Sequence, residues 1–269
     1  MEFYNKVDLH THSIFSFDGN DTCDELCKSA ADKGIKVLAI TDHCDIDGRD
    51  LKLDALCSPQ FDMLLQMQEK YKDRLCVLKG IEIGQGIYRK ELTQYVYDNY
   101  AYDFVLGSLH NLENMEDFYF LDYKHYDVYE LLDQYFSDLL SLTEWGMFDS
   151  LAHLTYPLRY IVAREKLDVD MSRFTDVIDS IFENLAKKDK ALEINTSGLF
   201  MEMQDTLPNI SFVKRFKEVG GKYITVGSDS HYAQKVGQGV DAGLKIAYES
   251  GFQSVTIFKN HQPVLMPIE

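Results

Sequence analysis

Short apolar runs rich in β-branched residues recur along the chain, and nearly every one is followed by a stretch with helical spacing. KVDLH at 6–10 gives way to a helix predicted over 22–33, with Thr22 and Glu25 spaced as a capping box and Gly34 at the stop. KVLAIT at 36–41 precedes a helix over 60–72, and CVLKGIEI at 76–83 precedes one over 90–99. FVLGSL at 104–109 leads to a long helix over 127–143, and a short strand at 148–153 leads to a helix over 174–188. ALEIN at 191–195 is followed by a helix over 210–219 that ends at Gly220-Gly221. YITVG at 223–227 is followed by a last helix over 240–250, and SVTIFK at 254–259 adds one more strand. Such alternation means parallel strands joined by crossover helices. Seven or eight units within 269 residues favour a closed or nearly closed (β/α) barrel, a fold that needs about 250 residues, over an open sheet. No Pro/Gly/Ser-rich linker divides the chain, so residues 1–269 read as one domain.

Charge narrows the partners. Against 44 acidic side chains stand 27 basic ones, a formal net charge of −17. That balance argues against a nucleic-acid partner, because phosphate backbones are gripped by clustered Lys and Arg, and against docking on anionic lipid. It leaves room for a local cationic pocket, which a bound metal can supply. The start, MEFYNKVDLH, lacks the apolar core of a signal sequence, and no apolar run approaches the roughly 20 residues that span a bilayer. The five cysteines, Cys23, Cys27, Cys44, Cys57 and Cys76, form no metal or redox motif and read as reduced thiols of a cytoplasmic protein. The oligomeric state is left open.

Histidine placement points to chemistry. Six of the eight histidines lie at or just after the C-terminal end of an apolar run. They stand in DLHTH at 8–12, TDH at 41–43, SLH at 108–110, LAH at 151–153 and GSDSH at 227–231. The third strand contributes an acid instead, Glu82 between Ile81 and Ile83. A parallel barrel opens all its strand C-termini on one face, where active sites are built. These residues therefore converge although they are far apart in sequence. His10 and His12 point the same way if their backbone is extended. Gathered imidazoles and carboxylates are the ligand set of Zn, Mn or Fe. His125 and His261 fall outside the pattern.

At these positions the sequence resembles the PHP superfamily, named for polymerase and histidinol phosphatase domains. The resemblance rests on DLHTHS, TDH, a mid-chain Glu, two strand-end histidines and GSDSH in the expected order along the whole chain. It implies a distorted (β/α)7, TIM-like barrel with three divalent metal ions at the C-terminal ends of the strands. By resemblance, His10, His12, Glu82 and Asp229 bind the first ion, and Glu82 bridges to a second held by His110 and His153. Asp18, His43 and His231 hold the third. Aspartate stands at 18 where many members have histidine, which implies altered metal preference or weaker binding. Within the superfamily the chain is most similar to the histidinol-phosphate phosphatases, which hydrolyse L-histidinol phosphate to L-histidinol and phosphate in histidine biosynthesis. The implied reaction is attack of a metal-bridging hydroxide on phosphorus, with Asp42, Asp229 and His231 as catalytic side chains. Phosphodiesterases or nucleases acting on nucleotides and protein-tyrosine phosphatases of the superfamily are the alternatives. A non-catalytic metal-binding regulator would be expected to lack some of these ligands.

Further roles follow from residue type and position. Asp42 adjoins His43 and could relay a proton or orient that imidazole. Arg89 and Arg159 fall in loops on the metal face, where guanidinium forks suit phosphate oxygens. Phe118 and Tyr119 could wall a pocket for an imidazole ring, and Glu113 and Glu116 could meet a substrate ammonium.

Overall fold

The computed structural model describes residues 3–46 and 52–268. Seven parallel strand positions form a nearly closed barrel, in the order β1 (Val7–Asp8), β2 (Val37–Ile40), β4 (Cys76–Gly84), β5 (Phe104–Ser108), β6 (Ser150–Leu151), β7 (Ala191–Asn195) and β8 (Tyr223–Gly227). The chain bends after β2 and resumes as β3 (His43–Asp45), and both stretches pair in parallel with the long β4. Leu9 N–H donates to the Val226 carbonyl at 3.0 Å and Thr11 bridges Ser230, which brings the first strand against the last. Strands β2, β5 and β7 are buried throughout, as expected where helices cover the outside and side chains fill the inside. Strands β1 and β6 are shorter than expected. Beyond each of them the chain leaves the ladder to carry histidines, and at His153 it turns to φ 20°.

The helices alternate with these strands: α1 (Cys23–Asp32), α2 (Leu53–Tyr71), α3 (Lys90–Asn99), α4 (Val128–Trp145), α5 (Thr175–Lys187), α6 (Ile210–Glu218) and α7 (Val240–Glu249). The capping box at Thr22 and Glu25 is formed, and Asp127 and Asn209 cap α4 and α6 with their side chains. Helix α2 begins well before the expected residue 60 and runs through Pro59. Its buried residues Leu53, Cys57, Gln60, Leu64, Met67 and Tyr71 form one stripe along the helix, and that burial outweighs the hydrogen bond lost at proline.

The last expected strand is not a barrel strand. β9 (Ser254–Lys259) pairs in antiparallel fashion with β10 (Gln262–Pro267) through Asn260 and His261, both at positive φ, a two-residue turn that the sequence reading did not register. His261 takes part in docking the hairpin at the N-terminal ends of β5 and β6. Its backbone N–H donates to the Asp103 carbonyl at 3.0 Å, and its Nδ1 lies 2.8 Å from Asp149 Oδ2. Phe258 stacks on Phe104, ring centroids 5.6 Å apart, both fully buried. Phe258→Ala should therefore lower unfolding stability by about 3–5 kcal/mol in urea titrations. A loss below about 1 kcal/mol would show that the hairpin is peripheral to the core.

Candidate metal centre

The opposite face of the barrel gathers the strand-end polar residues. Asp8 ties the two chain segments that meet there: its carboxylate accepts from Ser228 N–H at 2.8 Å, Ser228 Oγ at 2.6 Å and Gly237 N–H at 2.7 Å. Asp229 N–H then donates to the His10 carbonyl at 2.8 Å, which sets GSDSH beside DLHTH. Asp229 itself adopts φ 54°, a left-handed conformation that aspartate tolerates better than most residues. Glycines make the close approaches feasible. A Cβ on Gly227 would collide with His10 Cβ, and one on Gly84 would collide with Asp45 Oδ1.

Donor atoms meet in three groups. His10 Nε2 lies 3.3 Å from Glu82 Oε2 and 3.7 Å from Asp229 Oδ1, and His12 Nε2 lies 3.6 Å and 3.3 Å from the same two atoms. Glu82 Oε1 is 3.2 Å from His110 Nε2 and 3.0 Å from His153 Nε2, which are 3.3 Å from each other. Asp18 Oδ2 is 3.0 Å from His231 Nε2, and Asp18 Oδ1 is 3.7 Å from His43 Nε2. His43 stands between groups, because its Nδ1 is also 3.0 Å from Glu82 Oε2.

These groups have the character of metal sites. An ion held tetrahedrally at roughly 2.0–2.1 Å keeps its donors about 3.4 Å apart, close to the spacing of the first two groups. His10 Nε2 and His12 Nε2 are buried, and their carboxylate neighbours at 3.3–3.7 Å give neither a well-formed hydrogen bond, which costs stability unless something else engages them. Burial pushes the Glu82 and Asp229 carboxyls up, but the surrounding imidazoles, His10 foremost, hold both well below the usual carboxylate range. Burial, with His43 and His231 alongside, lowers the His12 imidazole to about 3, so it carries a free lone pair. Burial would lower His43 too, but Glu82 and Asp18 raise it to about 10.

Around the donors lies a layer of supporting groups. Asp42 does not reach the cavity, nor does its carboxylate orient the His43 ring. It accepts from Ser13 N–H at 2.6 Å, Ser13 Oγ at 2.9 Å and Ser16 Oγ at 2.9 Å, and Ser16 Oγ lies 3.1 Å from His12 Nδ1. Asp45 Oδ1 is 3.2 Å from His110 Nδ1, and Glu193 Oε1 is 2.7 Å from His10 Nδ1. The sequence reading passed over both. Glu193 carried the signal that singled out Glu82, a lone acid inside an apolar strand, but no histidine follows it.

A cavity of ≈ 580 Å³ opens above the donors, within the usual range for small-molecule sites. Arg159 lines it, with Nη2 2.7 Å from Ser197 Oγ and 3.4 Å from Asp229 Oδ2 and the guanidinium over the Tyr156 ring. Arg89 does not line it and pairs with Glu91 near the surface. Glu113 and Glu116 point to solvent, and the acid of that loop facing the cavity is Asp117, which accepts from Tyr156 Oη at 3.0 Å. Phe118 packs in the core edge-on to Tyr135, while Tyr119 and Phe120 form the wall. The loop's facing could not be read from sequence because it follows neither a helical nor a strand period.

Fold and site together define a (β/α)-barrel protein that gathers histidine and carboxylate ligands for divalent metal at the foot of a small-molecule cavity. The chain belongs to the PHP domain family, whose model matches residues 8–197. It is 30% identical over 250 residues to a probable histidinol-phosphatase of Clostridium acetobutylicum, covering 92% of this chain and 95% of that one. It is 28% identical to the histidinol-phosphatase of Lactococcus lactis subsp. lactis, covering 94% of each. A crystal structure of the Lactococcus lactis histidinol phosphate phosphatase, complexed with zinc, L-histidinol and phosphate, matches with a TM-score of 0.81 at 25% identity. That match covers 97% of this chain and 99% of the other.

If the centre holds cations, loading must stabilise the fold. Zinc or manganese at a hundredfold excess over its dissociation constant should add about 2.7 kcal/mol per independent site, read by calorimetry as a raised melting temperature that a chelator reverses. Identical melting with and without metal would contradict the assignment.

Proposed function

We propose that this protein is a metal-dependent phosphomonoesterase that hydrolyses L-histidinol phosphate to L-histidinol and phosphate. The observation that carries the reading is Glu82, whose two oxygens face two separate sets of imidazoles on the floor of a cavity lined by Arg159. The family membership and the L-histidinol and phosphate bound by the Lactococcus relative support the same substrate. In this reading His10, His12, Glu82 and Asp229 hold a first ion, Glu82, His110 and His153 a second, and Asp18, His43 and His231 a third. Zinc, manganese and iron all suit these donors. Bound divalent ions supply positive charge for phosphoryl oxygens and bring the pKa of a water near neutrality.

The chain's own residues do the rest. Arg159, its side chain only 10% exposed and its Nε buried without a partner, offers a fixed fork to a phosphoryl oxygen. Asp229 accepts from Arg159, Asn195 and Ser197 through Oδ2, and so sets the guanidinium against the donor cluster. His231 turns Nε2 toward Asp18 and Nδ1 toward the Asp229 carbonyl, each at 3.0 Å, so its part is to hold the third ion at the cavity edge. Tyr119, Phe120, Phe200 and Tyr232 supply apolar walls for the imidazole of the substrate, and the Asp117 carboxylate supplies a counter-charge for its ammonium. Arg89, Glu113 and Phe118 have no part in this reading. Residues 1–269 act as one domain, without nucleic acid or membrane. No helix among the described residues is long and apolar enough to cross a bilayer, and the five cysteines are unpaired, in keeping with a cytoplasmic enzyme.

A panel of phosphate esters tests the proposal. Histidinol phosphate should be turned over far faster than nucleotides, diesters or phosphotyrosine, and chelation should abolish turnover. Preference for a diester or for phosphotyrosine would instead favour one of the superfamily's other activities, and indifference to chelators would rule out the metal-dependent reaction. Arg159→Ala should lower kcat/KM by about 10²-fold, the usual cost of removing one donor to developing charge. Glu82→Ala should release two ions together by elemental analysis, and full occupancy in that variant would contradict its bridging role.

A further inference from the structure

Apart from His43, whose two nitrogens both face carboxylates of the cluster, each imidazole of the centre offers one nitrogen to the donors, and what the other nitrogen meets decides which tautomer is present. For His10 that second nitrogen, Nδ1, lies 2.7 Å from Glu193 Oε1, on a carboxylate only 1% exposed. The other oxygen, Glu193 Oε2, accepts the backbone N–H of His153 at 2.8 Å, where the chain turns through φ 20°. Gly227 leaves the space in which Glu193 reaches His10, since a Cβ there would fall 2.7 Å from Glu193 Oε1. One buried side chain thus touches a member of the first donor group and the backbone of a member of the second.

We infer that Glu193 is a positioning residue that fixes the His10 tautomer and the backbone at His153, and thereby sets the affinity of the centre for divalent cations. The inference rests on the ligand groups proposed above but not on the identity of the substrate. A carboxylate has acceptors only, so Nδ1 of His10 must carry the proton facing it. Nε2 is then left unprotonated, and it is Nε2 that points at Glu82 Oε2 and Asp229 Oδ1. The His153 N–H needs an acceptor as well, and no neutral side chain of the same shape serves both donors. In glutamine the amide oxygen can face one of them, and the amide nitrogen then faces the other. Either His10 takes the tautomer with the proton on Nε2, or the His153 N–H loses its acceptor. Ser16 and Asp45 also meet ring nitrogens, of His12 and His110, but each supports a single histidine ring. Ser16 Oγ also accepts the His43 N–H at 3.0 Å, but as a hydroxyl that can both donate and accept it fixes no tautomer, and of the three only Glu193 joins two donor groups as a carboxylate.

The test is Glu193→Gln, with zinc affinity measured by competition against a chromophoric chelator and stoichiometry by elemental analysis. The expected result is a zinc affinity weaker by about 10–100-fold, the usual effect of losing such a support, with metal-free melting close to that of the unaltered protein. Unchanged affinity and stoichiometry would overturn the inference, as would a loss of metal-free stability with no loss of affinity. Nitrogen-15 NMR of the metal-free, unaltered protein gives a second measurement that does not depend on the variant folding. His10 should be protonated at Nδ1, and protonation at Nε2 alone would overturn the proposal. If the protein binds zinc with this dependence on Glu193 but fails to hydrolyse histidinol phosphate, the proposed function falls and this inference stands. If the unaltered protein binds no zinc or manganese, both fall.

Discussion

A fully buried carboxylate needs compensating charge or hydrogen bonds, and here five imidazoles supply the neighbours of one. Glu82 is 0% exposed, with His110 and His153 at its Oε1 and His10, His12 and His43 at its Oε2, all between 3.0 and 3.6 Å. Taken alone, so many buried polar groups would be a liability, since desolvation can exceed the attraction gained. Their arrangement makes sense as a shared corner: one oxygen for each of the first two donor groups, both spaced as a small cation requires. The rest of the C-terminal face is organised around that corner.

The barrel makes the convergence possible. Parallel strands deliver every C-terminus to one rim, and the contacts between the two ends of the sheet bring residues 8–12 against residues 227–231. Asp8 secures that junction with three hydrogen bonds from Ser228 and Gly237, one layer below the metal-facing side chains. The hairpin β9–β10 covers the opposite end, so core packing and site chemistry occupy separate faces of one fold. Such a separation is general to barrels of this kind and allows the rim loops to vary without disturbing the core.

Most of this was legible in the sequence where a period or a chemical grouping carried it. The barrel strands follow from runs of β-branched residues, and α1 from its capping box. The candidate donors follow because a packing role is improbable for histidine at five strand ends together, with Asp18 and Asp229 added by the family resemblance. What escaped lay where neither signal operates. Glu193 supports an imidazole from a strand that carries no histidine. Asp117 and Tyr119 face the cavity while Glu113 and Phe118 do not, because a loop has no period to give its phase. Helix α2 continues through Pro59 because long-range burial of Leu53 and Cys57 outweighs a local break. The Asn260-His261 turn gave no glycine signal, and only its contacts with Asp103 and Asp149 show what it does.

The cavity completes the account. Its floor is the donor cluster and Arg159, suited to an anionic phosphoryl group, and aromatic side chains line it together with Asp117 and Lys235. The chain's charge of −17 is therefore no obstacle to an anionic substrate, because local positive charge comes from Arg159 and from bound cations. The most direct test of the central claim is anomalous diffraction from metal-loaded crystals, recorded at the absorption edge of the metal supplied. The account predicts one peak on each side of Glu82, the first among His10, His12 and Asp229 and the second between His110 and His153. A single peak remote from Glu82, or none in crystals that elemental analysis shows to be loaded, would contradict it.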